Sequence, residues 1–118
     1  MATMKLNGAG TYAAFASADL TGKRHYLAKV GTDGLIALAG SGETVLGTIF
    51  EEGNATTYPT TVQINGNGKV ICGAAVTAGD KLQATTGGKA ITSAGGDVFG
   101  VALNSGAANE IIEFTFDK

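Results

Sequence analysis

The sequence predicts an all-β domain, a single small β-barrel or β-sandwich of short strands carrying an internal duplication, with an extended N-terminal arm. Three observations lead there. Residues 76–116, VTAGDKLQATTGGKAITSAGGDVFGVALNSGAANEIIEFTF, read as four short strands separated by three Gly-rich turns. Residues 26–50 repeat the order of strands and turns in residues 81–103. The composition, with 19 Gly, 19 Ala, 15 Thr and a single Pro in 118 residues, suits short strands and tight reversals. The organisation expected is an arm over residues 1–18 and one β domain over residues 19–118, within the usual size of a single domain.

Residues 1–18 show neither helical nor strand period, with early strand structure left open at residues 10–15. Leu6, Tyr12 and Phe15 stand out there as large apolar side chains, so the arm is expected to dock, on its own domain or on a partner. HYLAKV at residues 25–30 alternates as a strand. Thr32, Asp33 and Gly34 give a hairpin turn of the Asp-Gly kind, answered by a strand at residues 35–38. TVLGTIF at residues 44–50 follows as another strand. EEGNATTYPT at residues 51–60 is the longest polar stretch and a surface loop, with Tyr58 and Pro59 as a rigid aromatic tip. NGNG at residues 65–68 is flanked by residues 61–64 and 69–72 and is the strongest hairpin signal in the chain. Strands at residues 80–85, 98–103 and 110–116 complete the series.

The two similar stretches lie about 53 to 55 residues apart and run strand, turn, short strand, Gly-rich turn, acidic residue, then VLGTIF in one and VFGVAL in the other. This suggests a duplicated β unit. Gly47 and Gly100 fall at equivalent points, and a glycine inside a strand marks a bulge or a close backbone approach.

Chemistry is sparse. His25 is the only histidine and Cys72 the only cysteine, so neither a His-based metal cluster nor an internal disulfide is expected. Alternation in KVICGA puts Cys72 beside Val70 as a buried small hydrophobe. Ser and Thr are plentiful, but no base and orienting group accompany them, so no catalytic residue, cofactor or metal is expected. GDVFG and SGAANE are not followed by a helix, which a Gly-rich phosphate loop requires.

Net charge is −2, and the basic residues are scattered, which gives no nucleic-acid footprint. Residues 1–30 carry four basic residues against Asp19, a local +3, while the rest carries four basic and nine acidic, −5. That polarity could orient the protein on a partner. The opening residues lack the apolar core of a signal peptide, and no stretch has the length of a membrane span, so a protein assembled in the cytoplasm without membrane contact is expected.

Residues 76–116, with AGDKL at 78–82, GG at 87–88 and VFGVAL at 98–103, resemble the C-terminal half of the small capsid decoration, or cement, proteins of tailed bacteriophages. Residues 18–50, ADLTGKRHYLAKVGTDGLIALAGSGETVLGTIF, fit the opening pattern of the same group, so the resemblance covers residues 18–116. It implies a non-enzymatic protein that binds the exterior of an assembled head between capsomers and stabilises the shell through contacts with the major capsid protein. It also implies a homo-oligomer, a trimer in many such proteins, that belongs to the virion after assembly in the host cytoplasm. Residues 1–17 do not map onto the family pattern. As a capsid-binding arm they would anchor through Leu6, Tyr12 and Phe15, with Tyr58 and Pro59 as a second contact. The competing readings are a small carbohydrate- or cell-surface-binding β module and another virion subunit, of tail or fibre.

Overall fold

In the computed structural model, which describes residues 10–54 and 56–117, every regular element is a β-strand. There are ten: β1 (Thr11–Ala14), β2 (Leu27–Val30), β3 (Ile36–Leu38), β4 (Gly47–Glu51), β5 (Thr60–Gln63), β6 (Asn67–Ile71), β7 (Lys81–Thr85), β8 (Lys89–Thr92), β9 (Val98–Ala102) and β10 (Ile111–Phe116). They form two five-stranded antiparallel sheets packed together, ordered β1-β5-β4-β2-β3 and β6-β10-β9-β7-β8. Adding five to each label of the first order gives the second. The duplication read over residues 26–50 and 81–103 therefore extends to five strands per copy.

Each sheet curls until its outer strands meet. Just beyond β1, Ala16 forms a parallel bridge with Ile36 of β3; just beyond β6, Cys72 does the same with Ala90 of β8. Main-chain bonds seal both junctions, from Ile36 N to Phe15 O and Ser17 N to Ile36 O at 2.9 Å each, and from Gly73 N to Ala90 O at 2.7 Å. Rolling a sheet onto itself leaves little open edge for stray pairing.

Each rolled sheet has its own interior. The first surrounds Ala16, Leu20, Ala28, Ile36, Ile49 and Val62, with Ala14 and Leu38 partly buried against them. The second is larger and centres on Phe114, whose ring meets Phe99 and Phe116 edge to face at centroid distances of 5.2 and 4.7 Å, the arrangement aromatic quadrupoles favour. Leu27, Ala39 and Val45 of the first copy also join this second cluster. Backbone bonds reinforce the seam: Leu27 N to Gly88 O at 2.6 Å, Gly88 N to Ala39 O at 2.9 Å and Gly42 N to Ala84 O at 2.9 Å.

Thr11–Ala14, in the segment expected to be an arm, pairs with β5 along its length, Tyr12 facing Val62 and Ala14 facing Thr60. This segment docks on its own domain, as the counterpart of β6. The hairpin expected at NGNG does not form: β5 and β6 stand in different sheets. Both edges of β5 are taken, by β1 and β4, so the chain leaving it must find a partner elsewhere, and β6 pairs with β10. Asn65 and Gly66 thus carry the crossing from the first copy to the second, where Gln63 Nε2 donates to the carbonyls of Asn65 at 3.0 Å and Asn67 at 2.6 Å. The strand expected to begin at residue 25 begins at Leu27, because His25 has φ 72°, a left-handed value that an extended strand cannot contain.

Candidate functional site

The polar loop between β4 and β5 is built on Asn54, whose Oδ1 accepts from the amides of Thr56 (3.1 Å), Thr57 (2.7 Å) and Tyr58 (3.2 Å), while its own amide donates to Tyr58 O at 2.9 Å. This is the local fold that Asx side chains favour, and it projects Tyr58, 65% exposed, next to the exposed Pro59. Asn54 O accepts from Ala16 N at 3.1 Å, so the loop lies against the end of β1. Phe15, between the half-buried Ala14 and the fully buried Ala16, is turned outward there and is 41% exposed. Phe15, Tyr58 and Pro59 therefore share one end of the β1–β5 pair. Tyr12 sits apart, on the side of the strand that faces Val62. Leu6 lies outside the described residues.

A second surface, not anticipated from the sequence, opens where the two sheets meet. It is a groove of about 470 Å³ whose lining includes Arg24, His25, Phe50, Lys69, Leu103 and Glu113. Phe50 and Leu103, directly after Ile49 and Ala102, are 46% and 47% exposed. The Arg24 guanidinium carbon lies 5.5 Å from the Phe50 ring centroid, a cation–π distance. Lys69 stands directly across from Glu113 in the β6–β10 ladder.

His25 is the pivot of this groove. Its amide donates to Ile49 O at 2.9 Å within the first sheet, and its carbonyl accepts from Ile71 N at 3.1 Å in the second copy. Burial, with the positive charges of Arg24 and Lys69 added, lowers the pKa of its imidazole below the usual histidine value. The second copy shows what the turn demands. Gly79 N donates to Ala102 O and Ala102 N to Asp80 O, matching His25 N to Ile49 O and Ile49 N to Tyr26 O. Gly79 has φ 92° and His25 φ 72°, so the same left-handed position is filled by glycine in one copy and by a side chain in the other. Left-handed backbone costs a residue with a Cβ on the order of 1 kcal/mol or more, and Gly nothing comparable.

The sequence alone hides this equivalence. Aligning TAGDKL at residues 77–82 with KRHYLA at residues 23–28 sets Arg24 against Ala78 and His25 against Gly79, but no aligned residue of the two stretches is identical, so the equivalence shows only in the backbone, where Tyr26 N to Lys23 O matches Asp80 N to Thr77 O. Lys69, Leu103 and Glu113 carried no sequence signal either, since only the packing of one sheet on the other brings them to Arg24.

Among the described residues no three His, Cys, Asp or Glu side chains gather as a metal site would require. Cys72 is buried and free, and burial followed by the nearby Glu110 raises its pKa. Among the described residues no helix is long and apolar enough to cross a membrane.

No protein-family model matches the sequence, and no curated protein is significantly similar to it. A solved structure does share the architecture: the N base of head fiber gp8.5 in bacteriophage phi29, at a TM-score of 0.70 and 19% identity over 92% of this chain and 93% of that one. The fold matches that of a head-fiber base. The likeness runs almost end to end in both chains, so the two-sheet frame as a whole is shared.

Proposed function

We propose that the chain is a non-enzymatic structural protein of a bacteriophage virion, bound to the exterior of the head. In that role it would act as a decoration or cement protein that stabilises contacts between capsomers through the major capsid protein. The observation that supports this reading is the end-to-end likeness to the head-fiber base. The motif resemblance over residues 18–116 points the same way. Two rolled sheets with few open edges suit the role, for they give a stiff platform while loops and the β1 end carry the contacts. Phe15, Tyr58 and Pro59 form one contact in this reading, Tyr12 a separate one, and Leu6 would be a further anchor of the N-terminal segment. A homotrimer would touch three equivalent capsid sites, which converts weak single contacts into lasting occupancy.

The test is co-sedimentation with expanded heads and with free capsid subunits. Binding to heads alone is the expected outcome; equal binding to unassembled subunits, or none to heads, overturns the cement role. A second reading, a fibre component, draws equal support from the neighbour's place in a head fiber. Gold-labelled antibody on intact particles separates the two, since a cement protein labels the shell evenly and a fibre component labels projections.

A further inference from the structure

The groove between the sheets joins charged and apolar side chains from both copies. Arg24, His25 and Lys69 line it, while Glu113 is its one carboxylate. Phe50 and Leu103 present half-exposed apolar faces beside those charges. The position equivalent to His25 is Gly79, and the one equivalent to Arg24 is Ala78, so the fold of this turn needs neither an imidazole nor a guanidinium. His25 nevertheless keeps a side chain on left-handed backbone, and such outliers concentrate where a side chain must be presented.

We propose that this groove docks an extended acidic segment of a protein partner, one carboxylate lying between Arg24, His25 and Lys69 and an adjacent apolar side chain packing on Phe50 and Leu103. Charge selects the occupant. The lining brings two permanent cations and an imidazole against one carboxylate; burial is the first cause of the lowered proton affinity of His25, and the positive field of Arg24 and Lys69 adds to it. An incoming carboxylate offsets that field, and Arg24, with its guanidinium carbon 5.5 Å from the Phe50 ring centroid, can offer its planar fork to both oxygens. The mixed lining favours a peptide over a bare polyanion, because Phe50 and Leu103 gain nothing from phosphate. This inference stands without the virion reading, since it concerns what the isolated chain binds.

The experiment is an amide NMR titration of the isotope-labelled full chain with the blocked peptide acetyl-Gly-Glu-Phe-Glu-Gly-amide and with its Gln-for-Glu counterpart. Saturable shifts at His25, Phe50, Lys69 and Leu103 are expected with the acidic peptide, and about tenfold weaker binding with the neutral one. Arg24→Glu and Lys69→Glu each should weaken binding about tenfold, whereas Lys81→Glu, on the exposed start of β7, should leave it unchanged. An unchanged amide spectrum outside the groove verifies that the variants fold. Equal binding of the two peptides, shifts scattered away from the groove, or stronger binding of inorganic phosphate or oligodeoxythymidylate than of the acidic peptide overturns the proposal. Loss of head binding with peptide binding intact would count against the cement role alone.

Discussion

Gly47 of β4 and Gly100 of β9 meet the facing strand in the same way: a Cβ on Gly47 would strike the carbonyl oxygen of Gln63, and one on Gly100 the carbonyl oxygen of Thr115. The next inward side chains, Val62 and Phe114, stand as close on each side. Two glycines 53 residues apart thus let β4 and β9 press against β5 and β10 at the same point of the roll.

Gly47→Ala and Gly100→Ala should each destabilise the protein by about 1–3 kcal/mol, the usual cost of forcing atoms into a filled interior. Gly87→Ala is the comparison, because Gly87 has φ 82° but nothing near its missing Cβ. It should cost only the backbone penalty, roughly 1 kcal/mol. Urea midpoints for the three variants order them; a Gly87 variant as damaged as the other two would mean that the close approach is not what these positions require.

Much of the second copy was readable in advance for a physical reason: its turns are short and glycine-marked, so the strands read at residues 80–85, 98–103 and 110–116 each lie within one residue of the observed β7, β9 and β10. The same copy made Gly47 and Gly100 legible as a pair. What failed was long-range. NGNG has the composition of a hairpin, but only Asn65 and Gly66 bend while Asn67 and Gly68 already belong to β6; pairing is decided by which strands still have free edges, and β5 has none. The groove was hidden for a similar cause. Arg24 and Lys69 are 45 residues apart and meet only because β6 belongs to the other sheet. The Phe15–Tyr58 end was half visible: each residue could be picked out as exposed and large, while their proximity depends on the bond between Ala16 and Asn54.

His25→Gly should stabilise the protein at neutral pH by up to about 1 kcal/mol, since glycine takes the left-handed backbone without the Cβ penalty. The acid side should change as well. The folded-state pKa of His25 is lowered, so above the unfolded histidine value of about 6.5 both states are neutral and the group contributes nothing. Below it the unfolded chain takes the proton first, and stability falls until pH passes the folded pKa. Removing His25 erases that loss. Glu43 behaves oppositely, its pKa lowered by the Lys29 hydrogen bond and then by Gly40 N, so its contribution is present above the unfolded carboxylate value and disappears only at lower pH. Urea midpoints followed from pH 8 to 5 would contradict this account if wild type and variant ran parallel.

Cys72 should resist thiol reagents in the native protein and react only on opening. Its side chain is fully buried in the second core, and burial raises its pKa, so little thiolate is available. Its amide donates to Glu110 O at 2.8 Å and its carbonyl accepts from Asn109 N at 2.7 Å, which holds the β6 end against the loop before β10. Labelling with a disulfide reagent should therefore speed up with urea in step with unfolding. Fast labelling without urea would show that the junction of β6 and β8 opens locally.

Leu27 should matter more to cooperativity than any residue of the smaller core. It belongs to β2 of the first copy, yet its side chain is buried in the second copy's cluster, and its amide donates to Gly88 O across the seam. Val62, by contrast, lies wholly within the first core. Leu27→Ala should cost about 2–5 kcal/mol and also loosen the two sheets from each other. Val62→Ala removes less volume and leaves the seam intact, so it should shift one cooperative transition without splitting it. Calorimetry reads the difference directly: the calorimetric and van't Hoff enthalpies should agree for wild type and Val62→Ala and part for Leu27→Ala. Agreement in all three would mean that the backbone bonds at Gly42 and Gly88 hold the copies together without Leu27.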